Sequence, residues 1–155
     1  MSIHKKILEL MKAIQVTKDG RNDFHKYRFV SHAGLMAEIQ PKLIELGLTA
    51  TKNAEISGIV ATEGGLAAVV KVTIRVTDAE TGEFVESAGI GQGVDKGDKA
   101  AMKAFTAADK YGWMGLLNAS AGEDPEADKT TDERAYGQPG PRPVSVGAPA
   151  AQRKG

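Results

Sequence analysis

Apolar residues recur every three or four positions in two segments near the start of the chain, which is the spacing of one buried face of an α-helix. The segments are 3–16 and 32–46. Ser31 can accept a hydrogen bond at the start of the second segment, and Gly47 follows its last apolar residue as a stop signal. Pro41 lies inside the same segment, so we expect it to kink or interrupt the helix.

The helical spacing gives way to an alternation of apolar and polar residues in the middle of the chain. The clearest alternating segment is 66–77, in which one face carries Val70, Val72, Ile74 and Val76 and the other carries Lys71, Thr73, Arg75 and Thr77. Turn-forming residues at 63–65 and 78–82 separate this strand from neighbours at 48–61 and 83–91. Strands joined by such short turns pair antiparallel, so the sequence predicts a three-stranded antiparallel meander.

A third helix is predicted over the alanine-rich segment 98–117. At about 100° per residue, one side of it carries Lys99, Lys103, Thr106 and Lys110, and the opposite side carries Ala101, Ala104, Phe105, Ala108 and Tyr111. The helix would therefore pack its alanine and aromatic side against the sheet and present a stripe of lysines outward. Most such stripes are simply solvated, so this one alone does not decide between a solvated face and an anion-binding face.

The composition changes near residue 122. Residues 123–155 hold five of the six prolines and no Leu, Ile, Met, Phe or Trp, which is too little apolar area to offset the entropy of ordering them. We therefore predict an α+β core over 1–122, an antiparallel three-stranded meander packed on helices, followed by a disordered Pro/Gly-rich tail over 123–155. The tail begins acidic and ends basic, which would suit recruitment of a partner, competition with an anionic ligand, or a solvated tail with no role of its own.

The overall charge excludes few classes of function. Lys and Arg number 20, as do Asp and Glu, so the formal net charge is zero and only local charge patterns bear on a nucleic-acid ligand. The absence of cysteine excludes a disulfide framework and a thiolate metal site. The first residues scatter charges where a secretory signal would be apolar, and the apolar runs are too short to cross a membrane. We expect a cytoplasmic protein with no membrane partner.

A second group of cations lies within 18–30, where aromatic residues alternate with them. The cations are Lys18, Arg21, Lys26 and Arg28, and the aromatic residues are Phe24, Tyr27 and Phe29. Cations follow phosphates and aromatic faces stack on bases, so this combination is typical of nucleic-acid binding. Phe24 and Phe29 are equally suited to a core position at a strand edge, and the interpretation we favour for them is the core. Tyr27 has a polar end and fits either place.

Little in the sequence favours catalysis. The segment "GVDKGDKA" lacks the Gly-Lys-Ser/Thr spacing of an ATP-binding loop, and the three histidines have no metal-ligand spacing. Asp95 and Asp98 could hold a magnesium ion, or could cap the third helix and balance its lysines, and their place at a helix start favours the second role. No nucleophile has a base beside it, so we predict that the protein is not an enzyme and uses no cofactor.

Glycines precede the third helix in the segment "GIGQGVDKGDK". We expect Gly91, Gly93 and Gly97 to form a flexible approach to the helix that allows close backbone contact with a ligand.

Four stretches in this order resemble the phage Erf family, the essential recombination function type of single-strand annealing protein. They are "KDGRNDFHKYRFVS", "KLIELGL", "TGE" and "GIGQGVDKGDKAAMKAFTAADKYGWMGLL", and the resemblance spans roughly 1–120. It implies a protein that binds single-stranded DNA, helps complementary strands pair without ATP in phage homologous recombination, and assembles with itself into rings or helical filaments in the host bacterial cytoplasm.

The resemblance also implies which residues contact DNA. They are Lys96, Lys99, Lys103, Lys110, Lys26, Tyr27 and Arg28. Tyr111 belongs to the same matched pair as Lys110, but it lies on the buried side of the predicted helix. The tail is a candidate contact for a host or phage replication protein. The alternative hypothesis is a small phage protein-interaction module, not an enzyme, that docks its basic face on an acidic partner.

Overall fold

A computed structural model describes residues 1–14, 20–22 and 27–119, and for 20–22 and 27–29 it describes the backbone. The chain divides into two units, Met1–Gly122 and Glu123–Gly155, and the fold below is that of the described residues of the first. The predicted disordered tail and Lys26 lie outside the described residues, so both remain predictions.

The described residues form three helices and five strands. The helices are α1 (Ile3–Ala13), α2 (His32–Leu46) and α3 (Ala100–Leu117). The strands are β1 (Gly20–Asn22), β2 (Tyr27–Phe29), β3 (Leu48–Thr62), β4 (Gly65–Asp78) and β5 (Phe84–Asp95). The first two strands pair with each other, and the last three form an antiparallel sheet in the order β3-β4-β5. The predicted α+β fold with an antiparallel three-stranded meander is confirmed.

The ends of α2 follow the capping signals in the sequence. The Ser31 hydroxyl accepts a hydrogen bond from the Gly34 N–H at 3.0 Å, and Gly47 ends the helix with a left-handed φ of 68°. Of the two effects expected of Pro41, a kink or an interruption, the interruption is wrong, because α2 continues unbroken from His32 to Leu46, and the kink stays a prediction. Apolar side chains on both sides of the proline, Ile39 and Leu43, pack into the core and stabilise the helix across it.

One face of the sheet forms the centre of the core. Val70, Val72, Ile74 and Val76 on β4 are at most 2% exposed, as their alternation predicts. Apolar residues of α1 and α3 join the same core, so the helices lie on this face of the sheet. In the described part of the chain, no helix is both long enough and apolar enough to span a bilayer.

Helix α3 lies directly on β5 because small residues line both sides of the contact. A Cβ atom added to Gly89, Gly91 or Gly93 would overlap backbone atoms of α3, at residues that include Ala104 and Ala108. Two strand residues advance about 6.8 Å and four helix residues about 6 Å, so the glycines of β5 stay opposite the small residues of α3 over several contacts. The prediction that Gly91 and Gly93 form a flexible approach for a ligand is wrong, because both lie in β5 and face α3.

Candidate nucleic-acid interface

A concave surface lies where the N-terminal half of α3 meets the N-terminus of α2. It encloses about 590 Å³ and is lined by Ser31, His32, Lys99, Met102, Lys103, Thr106, Ala107 and Lys110. Three of the predicted DNA contacts therefore share one surface, which we call the lysine cavity. Since Ser31 and His32 begin α2, the positive end of that helix dipole lies at the same place and adds to the favourable potential for an anion.

The first two predicted lysines lie in and after the turn that leads from β5 into α3. Lys99 is the N-cap residue of α3, and its exposed side chain lines the lysine cavity. Lys96 is also exposed, but its side chain is not among those that line the cavity. The structure thus groups Lys99 with the stripe on the helix and leaves Lys96 on the adjacent turn.

Lys103 is paired with a carboxylate of the protein itself. Its Nζ lies 2.8 Å from Asp95 Oδ1 and also donates to the carbonyl of Val94 at 3.3 Å. The Lys103 side chain is 54% exposed. The expected track of outward lysines is therefore interrupted by an ion pair at this position, although both partners remain within reach of solvent.

Asp95 shapes the turn that carries Lys96 and Lys99. Its Oδ2 accepts hydrogen bonds from the backbone N–H groups of Gly97 at 2.9 Å and Lys99 at 3.3 Å. The hydrogen bond from Lys103 and those from the backbone lower the pKa of Asp95 from 3.8 to about 2, so the carboxylate is charged near neutral pH. The ion pair confirms the predicted charge-balancing role of Asp95, whereas its backbone hydrogen bonds hold the turn and do not cap α3, whose N-cap Lys99 has no side-chain cap hydrogen bond.

Lys110 lines the lysine cavity but is only 7% exposed, so the expectation that it extends outward is wrong. The helical wheel gives the side of α3 correctly, yet it contains no information on what covers each turn. Helix α2 packs against α3, and the residues of α3 beyond Thr106 are mostly buried. The Lys110 Nζ lies 5.0 Å from the centre of the Tyr111 ring, which is itself partly buried against the core as the wheel predicts.

The aromatic and basic element near the N-terminus is described only by its backbone. Tyr27 and Arg28 belong to β2 and pair with Asn22 and Arg21 of β1. The side chains of Tyr27 and Arg28, like all of Lys26 and Phe24, lie outside the described residues. Their roles in DNA binding or in the core therefore remain predictions.

Asp109 is a functional candidate that the sequence patterns did not point to. It is fully buried in α3, and its Oδ2 lies 2.6 Å from His32 Nε2 and 2.6 Å from Lys52 Nζ. Its Oδ1 has no hydrogen-bond partner among the described residues. The sequence did contain a signal for it, because Asp109 lies between Phe105 and Trp113 on an otherwise apolar side of the helix. An Asp on such a side is expected to be buried, and a buried Asp is rare unless it is paired.

One comparison with known proteins, with models of protein families, finds a match. No curated protein matches the chain. The family model described as the ERF superfamily matches residues 3–149, which extends beyond 1–120, where the resemblance lies, into the predicted tail. The chain therefore belongs to the ERF superfamily, as its resemblance to the phage Erf proteins predicted, and so to a family of phage DNA recombination and strand annealing.

Proposed function

We propose that this protein binds single-stranded DNA and promotes the annealing of complementary strands in phage homologous recombination, without ATP. The observation that carries the proposal is the convergence of Lys99, Lys103 and Lys110 on one cavity in a member of the ERF superfamily. Family membership favours this function over docking on an acidic protein partner. The proposal assigns the protein no catalytic step and no cofactor.

The cations of the lysine cavity range from an exposed one at the rim to a buried one, so a sugar–phosphate chain can reach them from solvent. Lys99 is exposed at the rim, Lys103 is half exposed, and Lys110 is almost fully buried. A phosphate approaching from solvent would meet Lys99 first. Lysine acts as a point charge without a sequence code, so such contacts bind the backbone and leave the base edges free to pair.

The pair between Lys103 and Asp95 allows exchange with a phosphate. Pairs between solvent-exposed side chains contribute about 1 kcal/mol or less, which a phosphate can replace. Asp95 would still accept the backbone hydrogen bonds of Gly97 and Lys99 through its other oxygen. The turn can therefore keep its shape while Lys103 moves from a carboxylate to the DNA.

One protomer offers few phosphate contacts, so the affinity would come from many protomers side by side along a strand. Strands β3 and β5 are the two edges of the described sheet, and β3 carries exposed apolar residues, Ile56, Ile59 and Val60. Edge strands offer unpaired backbone groups to a neighbour. Head-to-tail contacts between such edges would build a ring or an open filament.

The test is DNA binding by the full chain, followed by annealing. Fluorescence anisotropy with labelled single-stranded and double-stranded DNA, from about 50 mM to about 200 mM salt, should show a salt-dependent preference for single strands. Mixing complementary dye-labelled strands should then show faster pairing with the protein and no need for ATP. Absence of binding at low salt would contradict the proposal and favour the protein-partner alternative.

The proposal also covers where the protein acts in the cell and what its C-terminal tail contacts. Phage recombination takes place in the host bacterial cytoplasm, where this protein would act. The segment 123–155 would contact a host or phage replication protein. Pull-down with and without that segment, from infected cells, tests the second point.

A further inference from the structure

His32 shares the lysine cavity with the three lysines, although no predicted DNA contact includes it. It is the first residue of α2, and its side chain is 27% exposed. Its Nε2 lies 2.6 Å from Oδ2 of Asp109, a carboxylate with no exposed surface. The imidazole thus connects a buried anion to a surface that also carries three lysines.

We propose that His32 is a fourth phosphate contact of the lysine cavity, that Asp109 positions it, and that it binds DNA in its protonated form. This inference rests on the proposed function and adds to it a residue and a dependence on pH. Asp109 is a positioning residue here, because it acts through the imidazole and does not touch the ligand.

The hydrogen bond to Asp109 decides what the other ring nitrogen can do. When Nε2 donates to the carboxylate, Nδ1 of a neutral ring is an acceptor and cannot donate to a phosphate oxygen. Protonation converts Nδ1 into a donor while the bond to Asp109 remains. Only the charged imidazole can therefore contribute a hydrogen bond to an anion in the cavity.

The surrounding charges link protonation of His32 to anion binding. Helix α3 and its N-cap contribute Lys99, Lys103, Lys110 and Asp109. Strand β3 contributes Lys52, and the last residue of β5 is Asp95, which is paired with Lys103. Lys52 already balances the charge of Asp109, so protonated His32 leaves this group with one excess positive charge. The lysines and the N-terminus of α2 oppose that charge in the free protein.

A bound phosphate removes this opposition, because it places negative charge beside the imidazole. Binding of the anion and uptake of the proton then favour each other, as linkage requires. The unpartnered Oδ1 of Asp109 supports a functional role for the carboxylate, since a buried acceptor without a partner in the described residues is costly to keep.

The test compares wild type with His32→Gln and His32→Lys in binding to oligo(dT), whose bases keep the same charge near neutral pH. As the pH falls from about 8 to about 6, wild type should bind oligo(dT) more tightly. Its salt slope should steepen by about 0.7 per protomer over the same change, as one added phosphate contact requires. His32→Gln should show neither change. His32→Lys, with a permanent charge, should bind tightly at both pH values.

Asp109→Asn tests the positioning role, and His4→Gln is the matched control on the exposed surface of α1. Loss of the carboxylate should shrink the gain in affinity on acidification, because the imidazole is no longer held in place at the cavity, whereas His4→Gln should respond as wild type does. Circular dichroism establishes whether Asp109→Asn folds, and the two His32 variants carry the test if it does not. An equal pH response in wild type and His32→Gln would overturn this inference alone, whereas absence of wild-type binding at both pH values would overturn the proposed function as well.

Discussion

Lys103 and Asp95 form an ion pair, with Nζ and Oδ1 2.8 Å apart, across the turn that joins β5 to α3. The second oxygen of the same carboxylate holds the backbone of that turn. Asp95 therefore has two separable tasks, since it shapes the loop through one oxygen and neutralises a lysine through the other. A ligand that takes over the lysine need not disturb the loop.

Replacing Lys103 by Ala should weaken binding to all single-stranded DNA sequences about equally and lower the salt slope by about one unit or less. The reason is that a lysine contacts the phosphate and not the base. Anisotropy with oligonucleotides of different base composition measures both effects. Lys71→Ala is the matched control, because Lys71 is exposed on the opposite face of the sheet. A loss confined to some sequences would contradict the phosphate contact.

Replacing Asp95 by Asn should strengthen DNA binding at low salt, because Lys103 then loses its competing carboxylate while the side-chain carbonyl can still accept from the turn. The change should be several-fold and should shrink as salt screens the charges. Binding that is weaker than in wild type would indicate that the carboxylate is needed to shape the turn.

The ion pair between the partly exposed Lys6 and the buried Asp78 should make the fold sensitive to acid. Lys6 Nζ lies 2.9 Å from Asp78 Oδ2, and this hydrogen bond, with that from the Glu80 N–H, lowers the pKa of Asp78 below 3.8. A lowered pKa in the folded state contributes stability above the unfolded value, and that contribution is lost as the pH falls through the folded value. Urea unfolding should therefore show a decline in stability below about pH 4.

Asp78→Asn is the variant that isolates this effect. It should lower Tm by several degrees near neutral pH and show a smaller further decline in acid than wild type. Glu80→Gln is the control, because Glu80 supplies only its backbone N–H to the pair. An acid response in Asp78→Asn as steep as that of wild type would assign the effect to other carboxylates.

Replacing Gly91 by Ala should destabilise the protein by about 2 kcal/mol, because the new Cβ would overlap the backbone of α3 at Ala104 and Ala108. Gly58→Ala is the matched control, since an added Cβ at Gly58 in β3 meets no atom within 4 Å. Chemical unfolding monitored through Trp113, which is 1% exposed, measures both variants. Equal stability of the two variants would contradict the close packing of α3 on β5.

Val60→Lys should reduce the number of protomers in the assembly. Val60 is 63% exposed on the edge strand β3, and a charge there opposes strand pairing between protomers. Size-exclusion chromatography with light scattering measures the mass. Ile44→Lys is the control, since Ile44 is 72% exposed on α2. A wild-type protein that is monomeric with and without DNA would remove the basis for binding through many protomers.

The sequence predicts best those elements that have a capping or turn residue at both ends. The bounds predicted for α2 match the observed ones because Ser31 and Gly47 mark them locally. Strand β5 extends to Asp95, beyond the predicted end at 91, because its glycines resemble a loop in sequence but are required by the helix that covers them. That requirement comes from a distant segment, so no local pattern contains it.

The candidate site likewise combines features that local sequence predicts with features that depend on distant segments. The helical spacing of Lys99, Lys103 and Lys110 predicted correctly that they share a side of α3. The burial of Lys110 and the joining of His32, Lys52 and Asp109 depend on how α2 and β3 pack against α3. These contacts link residues far apart in the chain, and helical periodicity carries no information about them.

The direct contact of α3 with the glycines of β5 fixes the cations to the sheet. Because the backbones of α3 and β5 lie against each other at Gly89, Gly91 and Gly93, the helix is held close to the strand, and the Cα atoms of its lysines keep a constant offset from the sheet edge. In an assembly joined through those edges, the interval between successive cationic sites would equal the protomer repeat. The protein scaffold, more than the reach of its side chains, would then determine how far a bound strand is stretched between phosphates.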